Sequence, residues 1–552
     1  MKYRNSILGA LVSALLAGCS FAPESDAFAH LPCISDDECG GNQVCFPDGC
    51  GDPGSNIAVE VQPSAAAGQL AQDFEVFEVR PNLDFQALQP SVLVGEVSQV
   101  STTGENVGFS GEVTISASGE SLLIPGRLRS AQFTVALEQG VFSVPIPTGQ
   151  FTVAVQSSEG LTVPLYESNV VVQPGAAASV HFNMPAVAQL QRMDQRLLQD
   201  AEQNLPIQTT VMDVQAFDLE TGVPISQKAQ VSSGQMGSTG DFSLYFKAPQ
   251  GAHSIQVKAS PRDPSAFVPT KTFVVSLTDK SPEPLELGDH GVPVTITGVV
   301  TGTDTLPLAN ARVYVEGKVG GGGTFKSATA TSDASGAFTL RSLPSGRNGD
   351  LRLWIIPPAN SASGLTAVPV HVSDQASQLG ALMAPDKIPV TGVLLRPDSG
   401  PAVGVPVEAR AVAKLDQFPL PDGVVRGFTD DAGVFTLRLD PGIYRFDFLP
   451  TDGYPRASRI VTLRPEVGSS GDSVMTQELP PFFLSRGRRI TGKISSIPDR
   501  LGQSPASLAP YATVKFFRVG QVEGRPASFL LAEGVADATG TYSVLLPTKD
   551  AE

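Results

Sequence analysis

Four cysteines near the start of the chain are the residues whose type and spacing point most directly to chemistry. They are Cys33, Cys39, Cys45 and Cys50, and of the five cysteines in the chain only Cys19 lies outside this group. An even, dense set of cysteines in an exported segment is typical of two disulfides. Four cysteines allow three pairings, and the sequence does not choose between them.

Metal binding is the other chemistry that these residue types allow. A zinc knuckle places two residues between paired cysteines, whereas here the intervening gaps are five, five and four residues. The acidic run Asp36-Asp37-Glu38 could hold a calcium ion, although a solvated charge run is the commoner meaning of such a pattern. We therefore expect disulfides and no metal site.

The first residues have the composition of an export signal. Two basic residues precede an apolar run from Ile7 to Ala17, which is too short to span a bilayer. The run ends in Leu16-Ala17-Gly18-Cys19, which resembles a bacterial lipobox. That resemblance implies cleavage before Cys19, lipidation of Cys19 and, because Ser20 follows, an outer-membrane lipid anchor at the cell surface or the periplasmic face.

No constellation of catalytic residues stands out in the sequence. It contains no His-Glu-x-x-His, no Gly-x-Ser-x-Gly and no phosphate-binding glycine loop. The histidines are scattered, at His30, His181, His253, His290 and His371. We expect no catalytic residue and no cofactor, and the formal charge of −17 disfavours a nucleic-acid partner.

A turn-and-strand pattern recurs along the rest of the chain and sets its organisation. A glycine followed after one residue by an aromatic residue appears five times, at spacings of 96 to 107 residues by subtraction. The glycine would supply the positive φ of a tight turn, and the aromatic ring would point into a core from the next strand. The pairs are Gly140/Phe142, Gly240/Phe242, Gly336/Phe338, Gly433/Phe435 and Gly540/Tyr542. Such a repeat predicts tandem units.

The third and fourth units resemble carboxypeptidase regulatory-like repeats, which have a transthyretin-like (prealbumin-like) β-sandwich fold. The matching residues are Thr297-Gly298-Val299-Val300 and Thr331-Ser332-Asp333-Ala334-Ser335-Gly336-Ala337-Phe338 in the third unit. In the fourth unit they are Thr429-Asp430-Asp431-Ala432-Gly433-Val434-Phe435 and Pro441-Gly442-Ile443-Tyr444. The family implies a fold and an extracytoplasmic setting, and it implies no activity.

We therefore expect an all-β chain, a tandem array of about five prealbumin-like β-sandwich domains after a lipoprotein signal and a short disulfide-rich segment. The expected boundaries are 1–18 for the signal peptide, 19–55 for a lipidated Cys-rich stalk, and 56–186, 187–289, 290–386, 387–487 and 488–552 for the sandwiches. The last unit stops soon after its Tyr542 strand, so we expect it to lack its closing strands. Short proline-bearing joints predict a semi-rigid rod.

The functional hypothesis is a non-enzymatic cell-envelope lipoprotein with a structural, adhesion or binding role at the outer membrane. Its partners would be the membrane, through the acyl anchor, and a protein or polysaccharide ligand. The alternative is a carbohydrate-binding or accessory module for an envelope enzyme or transporter. Exposed aromatic clusters on a sandwich face would favour the alternative, whereas we expect the single tryptophan, Trp354, in a core or partly buried.

Replacement of Cys19 tests the predicted anchor. Cys19→Ala removes the sulfur that would carry the lipid, so the protein should move from the membrane to soluble fractions. Metabolic labelling with a fatty-acid analogue should mark the wild type and leave the variant unmarked. An unlabelled wild type would contradict the prediction.

Overall fold

A computed structural model describes residues 33–549 except for 65–69, 77, 88–90, 102–104, 158–162, 186–188, 201, 204, 208–209, 232–238, 249, 280–282, 416–417, 452, 466–474, 497–507 and 523–524. The predicted signal peptide, Cys19 and His30 lie outside the described residues. The described part includes two short 3-10 helices, Asp36–Glu38 and Gly320–Gly322. No helix there is long and apolar enough to cross a membrane.

Five strands come from the N-terminal part of the chain. They are β1 (Val44–Phe46), β2 (Gly49–Gly51), β3 (Ile57–Gln62), β4 (Gln72–Val76) and β5 (Phe85–Ala87). The first two form an antiparallel hairpin.

Four sandwiches then follow in chain order. The first contains β6 (Val92–Val100), β7 (Asn106–Gly108), β8 (Gly111–Glu120), β9 (Leu128–Leu137), β10 (Val141–Pro145), β11 (Gly149–Ser157), β12 (Leu165–Val172) and β13 (Ala177–Met184). The second contains β14 (Gln191–Asp200), β15 (Leu205–Pro206), β16 (Met212–Phe217), β17 (Ala229–Val231), β18 (Asp241–Phe246), β19 (Ser254–Pro261), β20 (Lys271–Ser276) and β21 (Leu285–Glu286).

The third sandwich contains β22 (Val294–Thr301), β23 (Arg312–Lys318), β24 (Thr324–Lys326), β25 (Ala330–Thr331), β26 (Ala337–Ser342), β27 (Asp350–Ile356), β28 (Thr366–Val370) and β29 (Ser377–Met383). The fourth contains β30 (Ile388–Leu395), β31 (Pro406–Ala413), β32 (Val424–Phe428), β33 (Val434–Leu439), β34 (Gly442–Phe448), β35 (Ala457–Leu463), β36 (Gln477–Glu478) and β37 (Phe482–Phe483). The chain ends with β38 (Arg486–Ser496), β39 (Thr513–Val522), β40 (Arg525–Val535) and β41 (Thr541–Thr548).

Each sandwich repeats one topology, which the fourth illustrates. Its opening strand β30 lies between β33, which is antiparallel to it, and β36 and β37, which are parallel to it. The second sheet has the order β32-β31-β34-β35. Alternate residues of both sheets point inward and fill a separate hydrophobic core in each sandwich. The all-β sandwich fold is therefore confirmed.

An aromatic ring covers a glycine in four of the five sandwiches. In these four sandwiches, the aromatic residue two positions after the turn glycine pairs directly with the glycine of the opening strand, as Phe435 does with Gly392. A Cβ on that glycine would lie 2.4 Å from the Phe435 ring, so only glycine leaves the ring its place. The same pairing joins Gly95 to Phe142, Gly298 to Phe338 and Gly492 to Tyr542, whereas the second sandwich has Gln195 opposite Phe242.

The five repeated turn glycines share one backbone geometry. Gly140, Gly240, Gly336, Gly433 and Gly540 all have φ between 70° and 77°. Each glycine carbonyl accepts a hydrogen bond from an opening-strand amide, at 2.7 to 2.9 Å. Their aromatic partners, Phe142, Phe242, Phe338, Phe435 and Tyr542, are all buried.

An aspartate three residues before the glycine organises several of these turns. Asp333 Oδ1 accepts hydrogen bonds from the Ser335 hydroxyl at 2.7 Å and from the amides of Ser335 and Ala337 at 2.8 and 2.9 Å. The Ser335 hydroxyl and these amides hold the pKa of Asp333 below its usual value. Asp430 and Asp537 make equivalent bonds, so these acids serve the turn itself.

The fifth sandwich corrects two expectations. Strand β3 pairs with β39, β4 pairs with β3, and β5 runs parallel to β38, so residues 57–87 supply the closing strands that the C-terminal segment lacks. The fifth unit is therefore complete, and residues 57–87 do not belong to the first sandwich as the 56–186 boundary had it. Alternation of apolar and polar residues is compatible with β3, β4 and β5 as strands but carries no information on partners more than 400 residues away.

The order of the sandwiches is consequently cyclic. Short segments of two to seven residues, by subtraction of the strand bounds, connect successive sandwiches. Because both ends of the described chain lie in the fifth sandwich, that sandwich is joined directly to the first and to the fourth. This cyclic order differs from the linear order of five units that the repeats alone predict.

Two glycines of the fourth sandwich provide a matched test of the turn geometry. Gly433 and Gly404 both have positive φ, but a Cβ on Gly433 would lie 2.5 Å from the Leu394 carbonyl oxygen, whereas one on Gly404 meets no atom within 4 Å. Both alanine variants carry the left-handed cost of about 1–2 kcal/mol. Gly433→Ala should lower the free energy of unfolding by on the order of 1–3 kcal/mol more than Gly404→Ala does, because the backbone at Gly433 must shift. Hydrogen exchange at β30 and β33 measures this difference, and equal protection in the two variants would contradict it.

Candidate functional site: the N-terminal clasp

The N-terminal part of the described chain is built into the fifth sandwich. We call the described part of residues 33–87 the N-terminal clasp. It consists of the disulfide-bonded hairpin and the three closing strands β3, β4 and β5. The segment 19–55, expected to be a stalk, is in its described part packed against the fourth and fifth sandwiches.

Two disulfides hold the hairpin of the clasp. Cys33 is bonded to Cys45, and Cys39 is bonded to Cys50. Cys45 and Cys50 are register partners in β1 and β2, so the two bridges leave adjacent points of one ladder. The structure thus selects one of the three pairings that the sequence left open.

A buried arginine of the fifth sandwich binds this hairpin. Arg518 Nε donates a hydrogen bond to Asp48 Oδ1 at 2.8 Å, and its guanidinium lies 4.1 Å from the ring centroid of Phe46. A Cβ on Gly51 would lie 2.2 Å from Arg518 Nη2, so a glycine at this position admits the side chain. Val44 and Phe46 also join the hydrophobic core of the fifth sandwich.

Polar contacts extend the hairpin to the fourth sandwich and to the C-terminal end. Asp36 Oδ1 accepts hydrogen bonds from the Cys45 amide at 2.8 Å and the Ser485 hydroxyl at 3.3 Å. Burial raises the pKa of Asp36 and lowers that of the nearby Arg459 to about 10. Lys549 Nζ donates to the Cys39 carbonyl at 2.7 Å.

The closing strands complete the core of the fifth sandwich. Phe85 packs among the rings of Phe74, Phe516 and Tyr542, with centroid distances of 5.3, 6.1 and 6.0 Å. The Tyr542 hydroxyl donates a hydrogen bond to the Leu83 carbonyl at 2.5 Å. Half of this aromatic cluster therefore comes from each end of the chain.

Close backbone approach fixes the same strands from the other side. The Leu83 amide donates to the Thr491 carbonyl at 2.8 Å, and the Thr491 amide donates to the Pro81 carbonyl at 2.9 Å. A Cβ at Gly492 would lie 1.9 Å from the Leu83 carbonyl oxygen. Gly492 thus admits the clasp as well as the Tyr542 ring.

A buried ion cluster joins the clasp to the first sandwich. Glu60 and Asp73 lie on β3 and β4, and both side chains are nearly inaccessible. Arg129 Nη2 lies 2.7 Å from an oxygen of each acid, and Arg127 Nη2 lies 2.9 Å from Glu60 Oε1. The Ser121 hydroxyl donates to Asp73 Oδ2 at 2.6 Å. Two acids and two arginines balance in charge, as buried ions require.

The pKa values of the two acids in this cluster are shifted in opposite directions. Burial raises the pKa of Asp73 despite Arg129 and Ser121, so its contribution to stability is present at low pH and falls as pH rises from the ordinary to the raised value. Burial also acts to raise the pKa of Glu60, but Arg127 and Arg129 outweigh it and lower the pKa. The contribution of Glu60 to stability is therefore present above its unfolded-state pKa and is lost as pH falls through its folded-state pKa.

The clasp also contains the residues that could in principle hold a metal ion. Among the described residues, the one group of three potential metal ligands is Cys33, Cys39 and Cys50, whose sulfurs lie within 4.8 Å of one another. All three are disulfide-bonded, so they offer no thiolate to a metal. No described histidine belongs to such a group.

Sequence reasoning missed the acids and arginines of the ion cluster. Glu60 and Asp73 stand in the first predicted sandwich as ordinary charged strand residues. The signal that could have found them is length, because the segment 56–186 has 131 residues and 488–552 has 65, by subtraction. The first segment is longer than the other predicted sandwiches by about as many residues as the last segment is shorter.

Removal of Glu60 tests the ion cluster. Glu60→Ala leaves Arg129 buried beside one acid instead of two, and breaking a buried pair costs about 3–5 kcal/mol. The matched control is Glu78→Ala, whose pair with Arg80 is exposed and worth at most about 1 kcal/mol. Native-state hydrogen exchange at the β3–β39 ladder should show a large loss of protection for the first variant only. Equal losses would contradict the cluster's role.

Comparison with known proteins finds likeness of structure rather than sequence. No protein-family model and no curated protein matches the chain. A streptococcal ancillary pilin is 13% identical with a TM-score of 0.21, over 53% of this chain and 98% of the pilin. The RrgB pilus protein of Streptococcus pneumoniae is 10% identical (TM-score 0.14, 72% and 98% covered), and the major pilin SpaA of Corynebacterium diphtheriae is 10% identical (TM-score 0.15, 54% and 100% covered). The likeness is to pilin-type β-sandwich proteins and concerns the fold alone.

Proposed function

We propose that this chain is a non-enzymatic lipoprotein of the outer membrane that presents its β-sandwiches at the cell surface in a structural, adhesion or binding role. Acyl chains on Cys19 would hold it to the membrane, and a protein or polysaccharide would be its ligand. The observation that carries the proposal is the clasp, because it builds the segment next to the anchor into the folded body.

The clasp supports this role mechanically. Thirteen residues lie between Cys19 and Cys33, so a fully extended tether reaches at most about 50 Å. A force on the anchor would then act on disulfides, buried ion pairs and paired strands rather than on a free linker. The fifth sandwich would stay near the membrane, and the second and third sandwiches would be farthest from it along the chain in either direction.

The carbohydrate-binding alternative is favoured by a different observation. Trp354 is half-buried and stacks beside Tyr314 on the outer face of the third sandwich. A paired, partly exposed aromatic surface is the feature expected of a saccharide-binding module. The two proposals agree if the surface protein binds its ligand there.

Protease treatment of intact cells tests the surface location. Added protease should degrade the sandwiches on intact cells and leave a periplasmic reporter protein whole, since the proposed display is outward. Immunoblotting with antibodies to the third sandwich measures the loss. Protection on intact cells, with digestion only after the outer membrane is opened, would place the chain on the periplasmic face and contradict the proposal.

A further inference from the structure

A cleft lies at the junction of the third and fourth sandwiches. Its volume is about 460 Å³, which is within the range of small-molecule sites. The third sandwich contributes Tyr314 and Trp354, the joint contributes Lys387, and the fourth contributes Asp440 and Tyr444. The rest of the lining combines small residues such as Ala359, Ala411 and Gly423 with larger apolar side chains.

The aromatic side of this cleft is fixed by the sheet. Tyr314 and Trp354 are direct register partners on β23 and β27, with ring centroids 6.0 Å apart and planes 8° from parallel. Lys326 Nζ lies 4.3 Å from the Tyr314 ring centroid and 3.1 Å from Glu316 Oε2, so its charge is paired. The two rings therefore form a positioned apolar surface on the outer face of the sheet.

This ring pair differs from every other one in the described part of the chain. The other ring contacts, such as Phe435 with Phe482, belong to the hydrophobic cores. Tyr314 and Trp354 lie on the opposite face of their strands from the core residues Val313, Val315 and Leu353. They are half-buried beside an open cleft, which packing between sandwiches alone does not require.

The polar side of the cleft is held in place by backbone contacts. Asp440 Oδ1 accepts a hydrogen bond from the Leu365 amide at 2.7 Å, and Lys387 Nζ donates to the Ala359 carbonyl at 3.1 Å. Burial raises the pKa of Asp440, although the Leu365 amide and Lys387 act against it. Tyr444 is buried in the core of the fourth sandwich and also lines the cleft.

The charges of the cleft determine the class of ligand. Arg312 and Lys387 are balanced by Asp422 and Asp440, so the lining has no net formal charge. A ligand with a net charge would therefore meet no excess of opposite charge in the cleft. A neutral sugar ring offers apolar C–H faces for the aromatic rings and hydroxyl groups that both donate to carboxylates and accept from cations.

We propose that the cleft between the third and fourth sandwiches binds a neutral saccharide, with Tyr314 and Trp354 as the stacking surface and Asp440 as a polar contact. The inference rests on the proposed binding role and names its ligand class. It requires no catalytic step.

The single tryptophan makes the proposal directly measurable. Because Trp354 is the only tryptophan, the intrinsic tryptophan fluorescence of the whole chain reports on this cleft. The probes are neutral hexasaccharides built from glucose, mannose and N-acetylglucosamine, with hexagalacturonic acid as the charged comparison. At least one neutral probe should give a saturable change in fluorescence and a matching heat of binding by calorimetry.

Two variants place the binding in the cleft. Tyr314→Ala keeps the fluorescent residue but removes half of the stacking surface, and it should raise the Kd at least tenfold. Tyr511→Ala, which removes an exposed tyrosine in the fifth sandwich, should leave the Kd unchanged. Circular dichroism of both variants checks that they are folded.

Three outcomes would overturn the inference. They are no calorimetric binding of any neutral probe, binding of the acidic probe alone, and neutral binding that Tyr314→Ala leaves intact. All use purified protein and are independent of the anchor. Failure of the surface proposal would instead appear as protection from protease on intact cells, so the two failures are distinguishable.

Discussion

The core of the fifth sandwich is filled from both ends of the chain, and the rest of the arrangement depends on this shared core. Phe85 from the start of the chain packs against Phe516 and Tyr542 from its end. Neither segment alone has the eight strands that each of the other units uses. Since the segments meet, the first and fourth sandwiches are both chain neighbours of the fifth. The constraint is thus topological as well as energetic, because opening this core would also open the cycle.

Within four of the five sandwiches, a simpler constraint recurs. The opening-strand glycine and the aromatic residue opposite it form one feature, in which the ring occupies the space of the missing Cβ. The positive-φ glycine of the turn places the strand that carries the ring. In the fifth sandwich the opening-strand glycine, Gly492, also leaves room for the carbonyl of Leu83. One small residue thereby supports both the local fold and the clasp.

The sequence was sufficient for the repeat and insufficient for the pairings between distant segments. Turn glycines such as Gly336 and rings such as Phe338 are local signals, so the all-β sandwich fold could be predicted. The partner of β3 could not, because an alternating strand fits any open sheet edge of the right polarity. The cleft was equally hidden, since Tyr314 and Trp354 become neighbours only through register and Asp440 comes from the next unit.

A designed cross-link tests the closure of the fifth sandwich most directly. Gln62 and Thr513 are register partners at the end of the β3–β39 ladder, where facing Cα atoms lie within disulfide range. The double variant Gln62→Cys with Thr513→Cys should form an intramolecular bridge, and each single variant serves as the control. On a denaturing gel without reductant, the account predicts a monomer of altered mobility that reverts on reduction. A double variant that stays uncross-linked, or that forms only dimers, would contradict it.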